Sequence, residues 1–310
     1  MSSRSPVKSQ YSAFLYRSLS SYLRGIFGFS IRKVPVDPGF GCPNRDGTLG
    51  TRGCSFCYLD SFVPLHARSG KNPADQITDA LSERTAGPFI VYLQAGTGTY
   101  ASPEALEEVV ESVLPIPGAI GLFIGTRPDC VCGPVLDVLN PYRGRKLLWL
   151  ELGLQSSSDA TLDRIGRGHD VNSFVRARSL AMERGIPVCA HIILGLPGEG
   201  KEEMMTTARF LAEHEVEGVK IHHLQVIKGT VLEEEYSQGR INPLDHRAYP
   251  ALVSDFLEHL PPATIIHRLL SDAPDNLLIA PQWPDRNRVI QSIRDHMTST
   301  GSFQGKGWRR

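Results

Sequence analysis

The sequence predicts an α/β protein: a partial (β/α)6 TIM-type barrel of parallel strands followed by a C-terminal α/β extension. Three observations carry this. Short apolar, β-rich runs alternate with amphipathic stretches of helical period. The alternation repeats at intervals of roughly 30 to 40 residues, as successive βαβ units do. Polar segments rich in Gly and Pro then follow the apolar runs, at the strand ends where parallel α/β folds bind their ligands. About six units precede residue 230, fewer than the eight of a closed barrel, so the barrel is expected to be open.

The apolar runs are 29–34, 89–93, 120–124, 147–152, 188–194, 219–226 and 264–267. Between them, 73–84 reads as a helix. So does 102–114, with Ser102 as N-cap, Pro103 at the first helical position and Glu104 in the first turn. A further helix over 172–184 stops at Gly185, and another is expected over 202–215. The segments after the strands read CPNRDG (42–47), QAGTGTY (94–100), GTRPD (125–129), ELGLQS (151–156), GLPGE (195–199) and QVIKGT (225–230). Gly and Pro punctuate ordinary turns too, but one mouth collecting all six is the economical reading. The expected organisation is an N-terminal segment 1–25, a core barrel 26–235 and an extension 236–310 packed on the core.

Composition narrows the function. Hydrophobic residues at 41% and charged residues at 21% suit a globular chain and exclude disorder as its main state. Lys+Arg and Asp+Glu are both 33, which removes the overall electrostatic argument for nucleic-acid binding and leaves only local patches. No run approaches the ~20 apolar residues of a membrane span, and the first 20 residues show no secretory pattern. A cytoplasmic protein without disulfides is expected, so metal or catalytic use is the better reading of its six cysteines.

Cys42, Cys54 and Cys57 form C-x11-C-x2-C in a loop after the first strand, and Gly47, Gly50 and Gly53 let that loop fold back. Three thiolates without an obvious fourth leave one position of an iron–sulfur cluster open, and an open position marks a reacting metal site. The cysteines alone equally permit a structural zinc with His66 as fourth ligand. Cys130, Cys132 and Cys189 read as small core residues.

The stretch GCPNRDGTLGTRGCSFCYLD closely resembles the cluster loop of radical S-adenosylmethionine (SAM) proteins of the YhcC-like family, relatives of the elongator catalytic subunit. The likeness continues through QAGTGTYASPE, IGTRPDC, ELGLQSSSDATLDRIGRGHD, HIILGLPGE, VKIHHLQVIKGT, IHRLLSDAP and IAPQW, from about residue 25 to 305. It implies a radical SAM barrel in which Cys42, Cys54 and Cys57 hold one [4Fe–4S] cluster whose open iron chelates SAM. Reductive cleavage then yields a 5′-deoxyadenosyl radical, fed by a low-potential donor such as flavodoxin or ferredoxin.

The resemblance also implies SAM contacts. Gln94, Thr97 and Thr99 would face the methionine ammonium, where hydroxyls and a side-chain carbonyl suit a cation. Glu151 with Gln155 or Ser156 would bond the ribose or the methionine part, the other reading of Glu151 being a barrel-rim ion pair. Arg164 or Arg167 would pair the SAM carboxylate, and Ile193, Leu194 and Gly195 would face adenine. This chain departs from the family pattern at Gly96, Gly98 and Gly166, where a larger residue, a side-chain amide and an Asn are usual. His191, Lys220, His222, His223, Lys228 and His267 could each touch substrate or serve as core or rim residues. Wobble uridine of tRNA is the substrate that the elongator relatives suggest. The competing class is a zinc-stabilised α/β binding protein without radical chemistry.

Overall fold

Capping side chains start the helices near where the sequence places them. In the computed structural model, which describes residues 15–61, 63, 65–67, 70–82 and 87–309, Ser102 accepts from the Ala105 amide at 3.2 Å and Pro103 opens the helix behind it. Asp170 likewise accepts from the Ser173 amide at 2.8 Å. The chain order is α1 (Leu19–Phe27), β1 (Arg32–Val36), α2 (Pro73–Ser82), β2 (Phe89–Leu93), α3 (Pro103–Val113), β3 (Ala119–Thr126), α4 (Gly133–Asp137) and β4 (Leu147–Gln155). It continues with α5 (Asp159–Arg164), α6 (Val171–Glu183), β5 (Val188–Leu194), α7 (Lys201–Glu213), β6 (Gly218–His223), β7 (Val226–Ile227) and α8 (Val231–Ser237). The last elements are α9 (Tyr249–His259), β8 (Ile265–Arg268), β9 (Leu278–Ala280) and α10 (Arg286–Thr300).

Seven strands form one sheet in the order β1-β2-β3-β4-β5-β6-β8, every pair parallel. The sheet curls. Lys33 of β1 and His267 of β8, from its two edges, both reach the carboxylate of Glu151 on the central β4, at 2.7 and 3.1 Å. A curled parallel sheet with helices outside is a partial TIM barrel. Its core is the apolar layer between sheet and helices, with Val91, Leu122, Leu150, Ile192 and Ile221 buried against α3, α6, α7 and α9. No helix among the described residues is long and apolar enough to cross a membrane.

Three details differ from the expectation. The first strand lies at 32–36 rather than 29–34. The run 219–226 divides into β6 and β7, and β7 pairs antiparallel with β9. The extension after residue 235 supplies β8, the seventh strand, and packs α9 against α7 and α10. It therefore completes the barrel wall, because Ile265 and Ile266 need a parallel neighbour to bury their backbone groups. At the other end, α1 packs on β8 and crosses the boundary drawn at residue 25; residues 1–14 lie outside the described part.

Candidate functional site

All seven strands point their C-terminal ends at one cavity of about 540 Å³. Strand alternation decides which side chains line it: Tyr92 of β2 and Gln94 just after it, Gly125 from β3, Glu151 and Gly153 from β4, His191 and Ile193 from β5, Lys220 and His222 from β6.

The cysteine loop closes the mouth. The Cys57 amide donates to the Cys54 carbonyl at 2.9 Å, which makes the C-x2-C a tight turn. Two anchors hold the loop on the barrel: the Thr97 amide donates to Gly41 O at 2.8 Å, and Asn44 Nδ2 to Gly166 O at 2.7 Å. Cys42, Cys54 and Cys57 all line the cavity. Arg167 Nη1 lies 3.4 Å and Asn44 Nδ2 3.5 Å from Cys54 Sγ. Burial pushes the Cys54 thiol up, but the charge and hydrogen bond of Arg167, the charge of Arg127 and the Asn44 bond outweigh it and hold the thiol below its ordinary value. Cys57 is shifted the other way, by burial and then by the neighbouring Cys54 charge.

Under the cavity lies a polar layer. Glu151 is fully buried, and each of its oxygens accepts twice: Oε1 from Lys33 (2.7 Å) and His267 Nδ1 (3.1 Å), Oε2 from His191 Nε2 (2.7 Å) and Lys220 (2.9 Å). Burial alone would raise its carboxyl, yet the Lys220 and Lys33 charges and the two histidine bonds hold it well below the carboxylate range. Burial, then the lysine charges, lower His191 to about 3. His267 falls to about 4, chiefly by burial. Lys220 falls to about 8 because burial outweighs its carboxylate partner. The layer thus holds one carboxylate, two lysines and two neutral imidazoles.

Among the described residues, the loop cysteines and His66 are not drawn together as zinc ligands. Ligands of a tetrahedral zinc at Zn–S ~2.3 Å stand about 3.8 Å apart. Among the described residues, the one set of three Cys, His, Asp or Glu ligand atoms within 4.8 Å is Glu151, Cys189 and His267, and two ammonium groups already occupy that carboxylate. His66 Nε2 instead sits 2.9 Å from Pro35 O. Four of the polar atoms buried without a hydrogen-bond partner among the described residues belong to residues of this cavity: Arg45 Nε, Thr97 Oγ1, Arg127 Nη1 and Arg167 Nε. Such atoms carry a desolvation cost that a bound polar ligand would relieve.

Comparison with known proteins agrees with this geometry. The model of the radical SAM superfamily matches residues 38–211, and that of the Radical_SAM C-terminal domain matches 216–299. The chain belongs to the radical SAM superfamily. Protein YhcC of Escherichia coli (strain K12) is 39% identical over 289 residues, covering 91% of this chain and 93% of YhcC. A tRNA uridine(34) acetyltransferase of Dehalococcoides mccartyi is 31% identical over 159 residues, 50% of this chain and 34% of that protein. Among solved structures, the archaeal Elp3 of Methanocaldococcus infernus superposes with a TM-score of 0.66 at 18% identity, covering 88% of this chain and 64% of that one, which shows a shared fold.

In this radical SAM barrel, nine of the residues expected at the cluster or SAM meet in the cavity (the three cysteines, Gln94, Thr97, Glu151, Gln155, Arg167 and Ile193), and so do the substrate candidates His191, Lys220, His222 and His223, but not Lys228 or His267. Others do not. Thr99 Oγ1 is tied to Thr126 Oγ1 (2.6 Å) and Cys130 O (2.8 Å) behind the wall. Ser156 donates to Glu199, away from the mouth. Gly195 turns the chain at φ +84°, where a side chain would strike Leu244. Arg164 is committed to Glu235 at 2.7 and 3.0 Å. Glu151 has no acceptor site left for a ribose hydroxyl, so the ion-pair reading fits it better. Of the remaining cysteines, Cys189 is buried as expected, but Cys130 is half-buried and Cys132 exposed, so these two are not core residues.

The departures at Gly96 and Gly98 have a steric reason. Gly96 sits at φ +63°, and a Cβ there would stand 2.4 Å from Gly41 O; one at Gly98 would stand 2.9 Å from Gly125 O. Sequence reading missed Arg127, although GTRPD was in view, and Lys33. A lone lysine inside a β-rich run was the available signal.

Proposed function

We propose that Cys42, Cys54 and Cys57 hold a single [4Fe–4S] cluster and that the cavity beside them binds S-adenosylmethionine. The observation that carries this is the meeting of the three cysteines at one cavity, with Arg167 and Asn44 donating to Cys54. Bound there, the pair would supply reductive cleavage of the sulfonium and a 5′-deoxyadenosyl radical that takes hydrogen from a substrate.

The chain's own residues do the rest. Arg167 and Asn44 favour the thiolate of Cys54, the form that ligates iron. Thr97 Oγ1 offers an unpaired hydroxyl, and Gln94 a side-chain amide, to the methionine end; Gln155 and Ile193 border the nucleoside end. Glu151 orders the barrel floor through Lys33, Lys220, His191 and His267, and this keeps the wall above it rigid. A flavodoxin or ferredoxin would supply the electron in the cytoplasm. Because one relative is named as acting on tRNA uridine 34, unmodified tRNA is the first substrate to test.

Anaerobic reconstitution decides the cofactor. The expected content is about four irons and four sulfides per chain. Cys54→Ala should lose them, whereas Cys130→Ala, Cys132→Ala, Cys189→Ala and His66→Ala should retain them. One zinc without sulfide would overturn the assignment. With reductant and SAM, 5′-deoxyadenosine release that no tRNA accelerates would remove tRNA as substrate.

A further inference from the structure

Five cationic side chains line the cavity: Arg45, Arg127, Arg167, Lys220 and Arg268. Four are engaged. Arg45 donates to Cys57 O, and Arg127 to both oxygens of Asp129 at 3.0 and 2.9 Å. Arg167 reaches Gly153 O at 2.9 Å, and Lys220 reaches Tyr92 Oη at 2.8 Å besides Glu151. Arg268 differs. Its guanidinium, half-buried at the end of β8, makes no hydrogen bond or ion pair among the described residues. His222, with its ring 5.6 Å from that of His191, likewise has no hydrogen-bond partner among them.

Nor does a carboxylate remain nearby to neutralise Arg268. The acids lining the cavity are Glu151 and Asp272. Lys33 and Lys220 already share Glu151, and Asp272 lies 3.5 Å from Arg286. This end of the chamber therefore carries a net positive charge; burial chiefly lowers Lys220 and His222, and the Arg268 charge adds to the lowering of both. An unpaired cation in a partly desolvated recess is costly, and an arriving anion removes that cost. A guanidinium offers two parallel N–H donors that match a carboxylate or a phosphate.

We propose that Arg268, with His222 beside it, seats an anionic group, carboxylate or phosphate, of the molecule from which hydrogen is taken. This rests on the radical SAM reading above and names the substrate's chemistry. The placement of the cations assigns the anion to the substrate rather than to SAM: Arg127 and Arg167 already stand beside Cys54, whereas Arg268 stands on β8 beside Lys220 and His222 of β6.

Calorimetric titration of the full chain, with and without a reconstituted cluster, tests the seat. Inorganic phosphate and acetate are the probes, against wild type, Arg268→Gln and Arg268→Lys. At least one anion should bind wild type at one site in the millimolar range. Arg268→Gln should weaken it at least tenfold, and Arg268→Lys, which keeps the charge and loses the fork, should fall between. The tighter probe names the group. Arg268→Gln should melt no lower than wild type, because Arg268 repels Lys220, and SAM affinity of both cluster-loaded variants should stay within about twofold. Equal anion binding by wild type and Arg268→Gln overturns the seat, as does no binding to wild type by either anion. A tenfold loss of SAM affinity in Arg268→Gln would also overturn it, by giving the seat to the methionine carboxylate. Titration of the cluster-free chain reads the seat whether or not iron binds, so its failure is separable from that of the radical reading.

Discussion

Replacing Glu151 by Gln removes the one negative charge that four buried or half-buried groups share. It leaves Lys33 and Lys220 facing each other inside the barrel, with only an amide between them. Removing one partner of a buried ion pair costs about 3–5 kcal/mol, and at ~2–4 °C per kcal/mol for chains of this order the melting temperature should fall by about 6–20 °C. The defect should depend on pH. Lys220 titrates near 8 in the fold against 10.5 in an unfolded chain, so the unfolded state binds more protons between those values and stability rises with pH across that window. In the variant Lys220 loses the carboxylate that supports its proton, and the window extends lower. Thermal melts by circular dichroism at pH 6, 7.5 and 9 should therefore show the largest deficit at pH 6 and a smaller one at pH 9. Adding Lys220→Met should restore part of the loss. A deficit under ~1 kcal/mol, or one that widens with pH, would refute the argument.

Other outcomes follow from the same geometry. Gly96→Ala should displace the Gly41 carbonyl and with it the cysteine loop, lowering iron incorporation, and the strain at a positive φ should cost about 1 kcal/mol or more of stability. Full iron content in that variant would contradict the steric argument. Arg164→Ala should cost about 1 kcal/mol or less, because the ion pair with Glu235 is half-exposed, and should leave SAM affinity at the wild-type value in equilibrium dialysis. His191, His223 and His267 are held at about 3, 3 and 4 against 6.5 when unfolded. The unfolded chain therefore takes protons first on acidification, and the urea midpoint should drop as pH falls from 6.5 towards 4; a midpoint constant across that range would mean these rings are accessible and charged in the fold.

The sequence by itself determined what consecutive residues can write. Apolar, β-rich runs and helical-period runs gave the elements, Ser102-Pro103 gave a helix start, and GCPNRDGTLGTRGCSFCYLD with the strand-end motifs gave the family. These are local signals, since a cap or a turn is satisfied within a few residues of itself. Partners across the barrel are not local. Ser156 stands one residue from Gln155 in the same motif, yet one bonds Glu199 and the other lines the cavity, because strand alternation sends them to opposite faces. Glu151 looked available for a ribose until the curl of the sheet brought in Lys33 and His267, 118 and 116 residues away. Arg268 stood in a short strand of the C-terminal extension, and it became a candidate anion seat only because β8 closes on β6. The tertiary structure decided which charges were already matched and which were left over, since pairing depends on distances that only the curled sheet sets.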